Sequence, residues 1–202
     1  MCSKLTTPIL ENNIRLPRQF FFQDTVTVAR KLLGKRLIRL ERNQPIGGII
    51  TETEAYRGEE DLACHARAGK TNRTRVMYGP PGYAYIYFNY GIHWLLNIVT
   101  EEKDFPAAVL IRAIKPTEGL EIIANRRKGI PRSQWTNGPA KICQALNLDN
   151  NFNGTDICAP ESVLFVEEGQ KIQENAIAIK SRVGIQSVPE PWKSIPWRFQ
   201  LK

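Results

Sequence analysis

Two carboxylates stand two residues apart in Thr51-Glu52-Thr53-Glu54-Ala55-Tyr56, and the stretch that follows carries further chemically able groups. His65, one of only two histidines, closes an acidic turn. Arg67, Lys70, Arg73 and Arg75 then stud a loop of small polar residues, ahead of an aromatic segment, Gly82-Tyr83-Ala84-Tyr85-Ile86-Tyr87-Phe88-Asn89-Tyr90-Gly91-Ile92-His93-Trp94. A carboxylate can take a proton from water, clustered cations can meet phosphates, and tyrosine faces can hold a flat ligand. Few proteins need acid, cation and tyrosine so close together.

Asp24 caps an amphipathic helix over 20–34, with Val28, Ala29, Leu32 and Leu33 on one face and Gly34 as its stop. Lys35 to Leu40 is a strand, and Asn43-Gln44-Pro45 turns it back into the acidic segment. Because side chains alternate along a strand, Ile50, Glu52, Glu54 and Tyr56 are expected on one face, and Ile49, Thr51, Thr53 and Ala55 on the other. Carboxylates so placed are ordinary as solvated edge charges; the adjoining tyrosine and the cationic loop argue instead for a site.

Arg57-Gly58-Glu59-Glu60-Asp61 reads as a turn or the start of a short helix, whose N-terminus its acids favour. Those acids and Cys64 near His65 suggest a metal at first sight. No second histidine lies at ligand spacing, however, and helix capping accounts for the carboxylates, so no metal is expected. Gly79-Pro80-Pro81-Gly82 turns into a strand with Tyr83, Tyr85 and Tyr87 on one face, and Asn89-Tyr90-Gly91 is a hairpin tip. A ring at such a tip is either idle or a probe for something else. Ala107 to Ile114 is an apolar strand interrupted by Arg112, which faces solvent or a buried carboxylate. Pro116 is expected to start a helix ending at Gly129, and Pro139 a second whose free amides, with Lys141, suit a phosphate. Val163 to Val166 and Ala176 to Ile185 read as strands, and Pro189 to Trp197 as a surface wrap.

The 202 residues suit one domain, preceded by a flexible segment over 1–17. Four cysteines without a Cys-x-x-Cys pair fit reduced thiols. Neither a secretion signal nor an apolar run of membrane-spanning length is present, which places the protein in the cytosol. A net charge of +8 and a pI near 9.5 point to an anionic partner, nucleic acid being the commonest.

With these residues in view, the chain resembles the alkyladenine (3-methyladenine) DNA glycosylases of the single-domain type found in vertebrates and many bacteria. The resemblance rests on Glu52-Thr53-Glu54-Ala55-Tyr56, His65, Met77-Tyr78-Gly79-Pro80-Pro81-Gly82, Tyr85-Ile86-Tyr87-Phe88-Asn89-Tyr90-Gly91, Asn97, Leu110-Ile111-Arg112-Ala113 and Asn137-Gly138-Pro139-Ala140-Lys141-Ile142-Cys143, in one order from Phe20 to Phe199. It implies an α/β (α+β) fold with a mainly antiparallel curved sheet, surrounding helices and a protruding β-hairpin. It also implies excision of alkylated or deaminated purines from damaged double-stranded DNA by a monomer without cofactor. Such an enzyme works at the nucleoid, or in the nucleus of a eukaryotic cell.

Carried over residue by residue, the resemblance makes Glu54 the general base and Arg112 the cation that orients it. Tyr56, His65 and Tyr87 match the walls of the base pocket, Asn97 a residue that crowds out guanine's amino group, and Tyr90 the wedge that fills the duplex. Water as nucleophile implies a monofunctional enzyme that leaves an abasic site. Glu52 is expected to be structural. The loop over 67–75 departs from the vertebrate pattern, so its cations and Lys141 are expected phosphate contacts from charge alone. His93 stands where vertebrate relatives carry another aromatic residue. Two rival readings are a non-catalytic damage-sensing or architectural DNA-binding protein, and a domain acting on RNA or a formyl-type substrate.

Overall fold

In the computed structural model of residues 14–202, Asp24 accepts a hydrogen bond from the Thr27 amide and starts the helix that the apolar spacing predicts. The flexible segment expected over 1–17 lies mostly outside these described residues; Leu16, within them, is buried. The single helix read over 20–34 is divided into α1 (Arg18–Phe21) and α2 (Thr25–Lys31). Asp24 prefers a cap to a helix interior, and so separates the two.

The strands β1 (Arg36–Glu41) and β2 (Gln44–Arg57) form a hairpin through Arg42 and Asn43. Both turn residues are left-handed, with φ of 50° and 63°, so the turn comes one step before the expected Asn43-Gln44-Pro45. Such two-residue turns match the twist of the strands they join. The remaining strands are β3 (Ala84–Asn89), β4 (His93–Val99), β5 (Ala107–Glu118), β6 (Leu164–Glu167), β7 (Ile177–Lys180) and β8 (Arg198–Leu201), with helices α3 (Leu120–Arg126) and α4 (Pro139–Leu146). Every ladder between them is antiparallel, in the order β3-β4-β5-β2-β1-β6; β8 pairs with β2 beyond the end of β1, and β7 flanks β8. The result is a single domain, as the length suggests, with the α+β architecture and antiparallel sheet that the resemblance implies.

Two expectations about elements fail for long-range reasons. Pro116 does not start a helix, because β5 continues to Glu118 against Gly47 and Gly48 of β2. At Gly48 a Cβ would come within 2.1 Å of the Lys115 carbonyl oxygen, so the two backbones approach closely only because glycine is there. The strand read over 176–185 stops at Lys180. Beyond it Arg182 turns inward and Gly184 takes a left-handed φ of 82°.

The two faces of the sheet are used differently. Ala84, Ile86, Ile98 and Val109 join α2 and α4 in the larger apolar core, while Tyr85, Val99 and Ala108 face a smaller cluster with Cys64, Met77 and Tyr78. Each fully buried aliphatic or aromatic side chain contributes about 1.5–3 kcal/mol, so the larger core can hold the sheet while its other face carries a cavity. Besides a register shift that leaves Thr117 without a partner, two offsetting bulges lie between β2 and β5: Thr51 has no ladder partner on β5, and Arg112 none on β2. An extra residue inverts the alternation. Ile50 therefore packs in the larger core with Ile111 and Ile114, and does not share a face with Glu52, Glu54 and Tyr56 as expected.

Candidate active site

On the second face of the sheet opens a cavity of about 330 Å³, within the range that takes a small flat ligand. Tyr56 enters it from β2, and Ala63, Cys64 and His65 from the turn that follows. The β3–β4 hairpin supplies Tyr85, Tyr87, Asn89, Tyr90, Leu95 and Asn97, and β5 supplies Leu110 and Arg112. Met77, Pro139 and the segment from Val183 to Ile185 complete the lining.

Glu54 is 0% exposed and sits just behind this lining, not on it. Each of its hydrogen-bond donors is a lining residue: the Tyr56 hydroxyl donates to Oε2 at 2.9 Å, Arg112 Nη1 to Oε2 at 3.2 Å, and the Val183 amide to Oε1 at 2.7 Å. Burial pushes the carboxyl above its usual range, and Arg112, the Val183 amide and Tyr56 pull it partly back. The outcome is a carboxylate more basic than one in water. Glu52 shares the same arginine, accepting from Arg112 Nε at 3.1 Å and from Arg198 at 3.1 Å. The bulge at Arg112 frees this side chain from ladder geometry and lets it bridge both carboxylates.

His65 and Tyr87 meet edge to face, with centroids 4.4 Å apart and planes at 82°. That spacing leaves no room for a ring between them, so together they make one wall. Arg73 can only donate, and lies 3.4 Å from His65 Nε2; the ring proton is therefore on Nδ1, which faces the Tyr85 hydroxyl at 3.1 Å. Burial, with Arg73 and Arg67 nearby, lowers the imidazole to about 4, so the wall is uncharged at neutral pH. Asn97 is buried and donates through Nδ2 to the Tyr85 carbonyl at 3.1 Å, which fixes it against the hairpin.

Tyr90 stands at the hairpin tip with a left-handed φ of 51° and is 82% exposed. Phe88 and Ile92 beside it are exposed too. The cations of the basic loop, Arg67, Lys70, Arg73 and Arg75, all reach solvent. Arg67 also donates to the Leu62 carbonyl, Lys70 lies 3.6 Å from Asp104, and Arg73 stacks over Tyr87 at 5.0 Å. Lys141, at the head of α4, is held by Asn137 at 2.8 Å.

The structure thus brings Tyr56, His65, Tyr87, Tyr90, Asn97 and Arg112 to one cavity with Glu54 behind it, and keeps Lys141 outside the lining. Sequence reasoning missed Arg182 and Asp61, a fully buried ion pair at 2.5 Å, and the Val183 amide. Asp61 does not cap a helix as expected: it holds Arg182 and the Ala63 amide. In Lys180-Ser181-Arg182-Val183-Gly184 only the glycine hinted that the strand ends.

Comparison with known proteins agrees with this picture. The profile of the family described as methylpurine-DNA glycosylase (MPG) matches residues 19–202. A protein of Desulfitobacterium hafniense (strain Y51) is 45% identical over 197 residues, covering 93% of this chain and 95% of the relative. One of Carboxydothermus hydrogenoformans is 42% identical over 187 residues, covering 93% and 95%. A third, from Methanocella arvoryzae, is 45% identical over 191 residues, covering 93% and 92%. All three carry the provisional name 3-methyladenine DNA glycosylase.

Proposed function

As the chain belongs to the methylpurine-DNA glycosylase family and is therefore a DNA glycosylase of DNA repair, we propose that it is a monofunctional enzyme which rotates alkylated and deaminated purines out of duplex DNA. 3-Methyladenine and hypoxanthine are its substrate class, and Glu54 activates the water that cleaves their glycosidic bond. The observation that supports this reading best is the enclosure of Glu54 by three donors whose residues all line the cavity. Burying a carboxylate is costly, and a protein that only bound DNA would have no use for one at this place.

In this reading the purine stacks between Tyr56 and the wall made by His65 and Tyr87. A purine made cationic by alkylation gains about 0.5–2 kcal/mol from aromatic faces, and the neutral His65 does not repel it. Asn97 disfavours guanine through its amino group. Water enters the seam between Arg112 and Val183, where Glu54 Oε1 accepts one hydrogen bond, from the Val183 amide, among the described residues. Glu54 takes its proton while the water oxygen bonds to C1′, and the pair of electrons in the C1′–N bond leaves with the base. The carboxylate's charge favours the oxocarbenium-like transition state. A cationic base departs neutral, whereas hypoxanthine must take up a proton as it leaves. Strand cleavage would require an amine nucleophile, so the product here is an abasic site in an intact strand.

Tyr90 fills the gap in the duplex, the basic loop and Lys141 meet phosphates, and a monomer suffices. Among the described residues no helix is long and apolar enough to cross a membrane. The test is incubation with duplexes carrying a single hypoxanthine or 3-methyladenine. Strand breaks only after hot alkali are the expected result; no breaks with either lesion would contradict the activity, and breaks without alkali would contradict monofunctionality.

A further inference from the structure

The side chains of Arg182 and Asp61 are both 0% exposed, and the guanidinium is held in a fork: Nη1 donates to Asp61 Oδ2 at 2.5 Å and Nη2 to Oδ1 at 2.9 Å. Nη1 also donates to the Ala55 carbonyl at 3.0 Å, and Nη2 to that of Trp192 at 3.2 Å. The acceptors lie on three separate segments. Ala55 adjoins Tyr56, and Asp61 heads the turn that carries His65. The guanidinium carbon sits 4.8 Å from the centroid of the Tyr56 ring. Tyr56 lines the cavity and Arg182 does not, so the cation covers the ring from behind.

The residue after Arg182 is the one whose amide reaches Glu54 Oε1, at 2.7 Å. Moving the Arg182 peptide would therefore withdraw a hydrogen bond from the carboxylate and the backing from Tyr56 together. Apolar residues of similar volume would stabilise a fold at least as well as a buried ion pair, so stability alone gives no reason for this one. We propose that Arg182, locked on Asp61, is a positioning residue for the glycosylase reaction, holding the Val183 amide on Glu54 and the Tyr56 ring against the cavity. The proposal rests on the reading of Glu54 as the base.

The charged and titratable groups around Glu54 are Tyr56 and Glu52 on β2, Arg112 on β5, Tyr87 on β3, and Arg198 on β8, which pairs with Glu52 and stands opposite Glu54 in the ladder. Arg182 acts on it through the Val183 peptide. Withdrawing a hydrogen bond from an ionised carboxylate favours its protonated form.

The experiment compares the wild type with Arg182→Lys, which keeps the charge but not the fork, and with Asp61→Leu/Arg182→Met, which replaces the pair by apolar residues. Single-turnover excision of hypoxanthine should fall about 100-fold in both, as expected when a catalytic group is misplaced by about an ångström. Lesion-duplex affinity should fall by less than the rate, because Tyr56 loses its backing but stays in the cavity wall, and the acid limb of the rate profile should move up by about one pH unit. A merely structural pair would scale the rate with the fraction folded and leave the pH profile in place, which would overturn the proposal. Should both variants fail to fold, the wild type decides: the Val183 amide proton resonance must titrate with the midpoint of the acid limb, and an amide that does not titrate contradicts it. Glu54→Gln run in parallel separates the two readings. If that variant stays active, the assignment of the base fails; if it is inactive while Arg182→Lys has a wild-type rate and profile, only the role of Arg182 fails.

Discussion

Arg112 holds Glu54 from the lining of the cavity, its Nη1 3.2 Å from Oε2, while its Nε keeps Glu52 at 3.1 Å. One guanidinium thus contacts both carboxylates of the acidic strand, with Arg198 as the second cation on Glu52, and it can do so because its own residue is a bulge in β5.

Arg112→Met should expose that dependence. It leaves Glu54 buried without its cation, and loss of one partner from a buried pair costs about 3 kcal/mol or more. Denaturant unfolding should show that loss, and single-turnover excision should fall with it. The remaining activity should also need a higher pH than wild type, since the missing cation favours protonated Glu54.

The pH dependence of the wild type follows from the same environment. Burial raises the Glu54 carboxyl, and with Glu54 as the proposed base, active only when ionised, the rate should fall as pH drops through a midpoint above the ordinary carboxylate range. His65 is lowered to about 4 and Tyr85 raised to about 12, so neither adds a limb near neutral pH. For a cationic alkylated base, which needs no acid to leave, excision should show one acid limb and then a plateau. A fall in rate between about pH 7 and 9 would point to a second titrating group.

Tyr90→Ala should separate the wedge from the fold. The ring is 82% exposed, so its removal should change stability by no more than about 0.5 kcal/mol. Loss of stacking in the duplex should weaken lesion-duplex binding by about 1–3 kcal/mol in a titration. Equal binding by mutant and wild type would remove Tyr90 from that role.

Arg75→Gln addresses the basic loop. The side chain is exposed, and one fewer phosphate contact should reduce the slope of log affinity against log salt by about one for damaged and undamaged duplex alike. An unchanged slope would place Arg75 off the DNA.

Much of this was legible in the residues themselves. Alternation put Glu52, Glu54 and Tyr56 on one face of β2 and Tyr83, Tyr85 and Tyr87 on one face of their own segment, and Asn89-Tyr90-Gly91 marked the exposed tip. What escaped notice depends on partners distant in the chain. Nothing local at Thr51 or Arg112 signals a bulge, because it arises from matching β2 to β5. Pro116 reads as a helix start until Gly47 and Gly48 bring a strand beside it. Arg182 looks like any surface cation until Asp61, 121 positions away, draws it inside. The burial of Glu54 was likewise invisible: alternation gives the face of a strand, not what covers it.

The most direct measurement is single-turnover excision from a hypoxanthine duplex by Glu54→Gln, with the binding of the same duplex titrated alongside. Glutamine keeps the size of the side chain and an acceptor for the Val183 amide but cannot take a proton from water. The account predicts near wild-type lesion affinity with excision slowed by roughly 100-fold or more. Excision at the wild-type rate would contradict it.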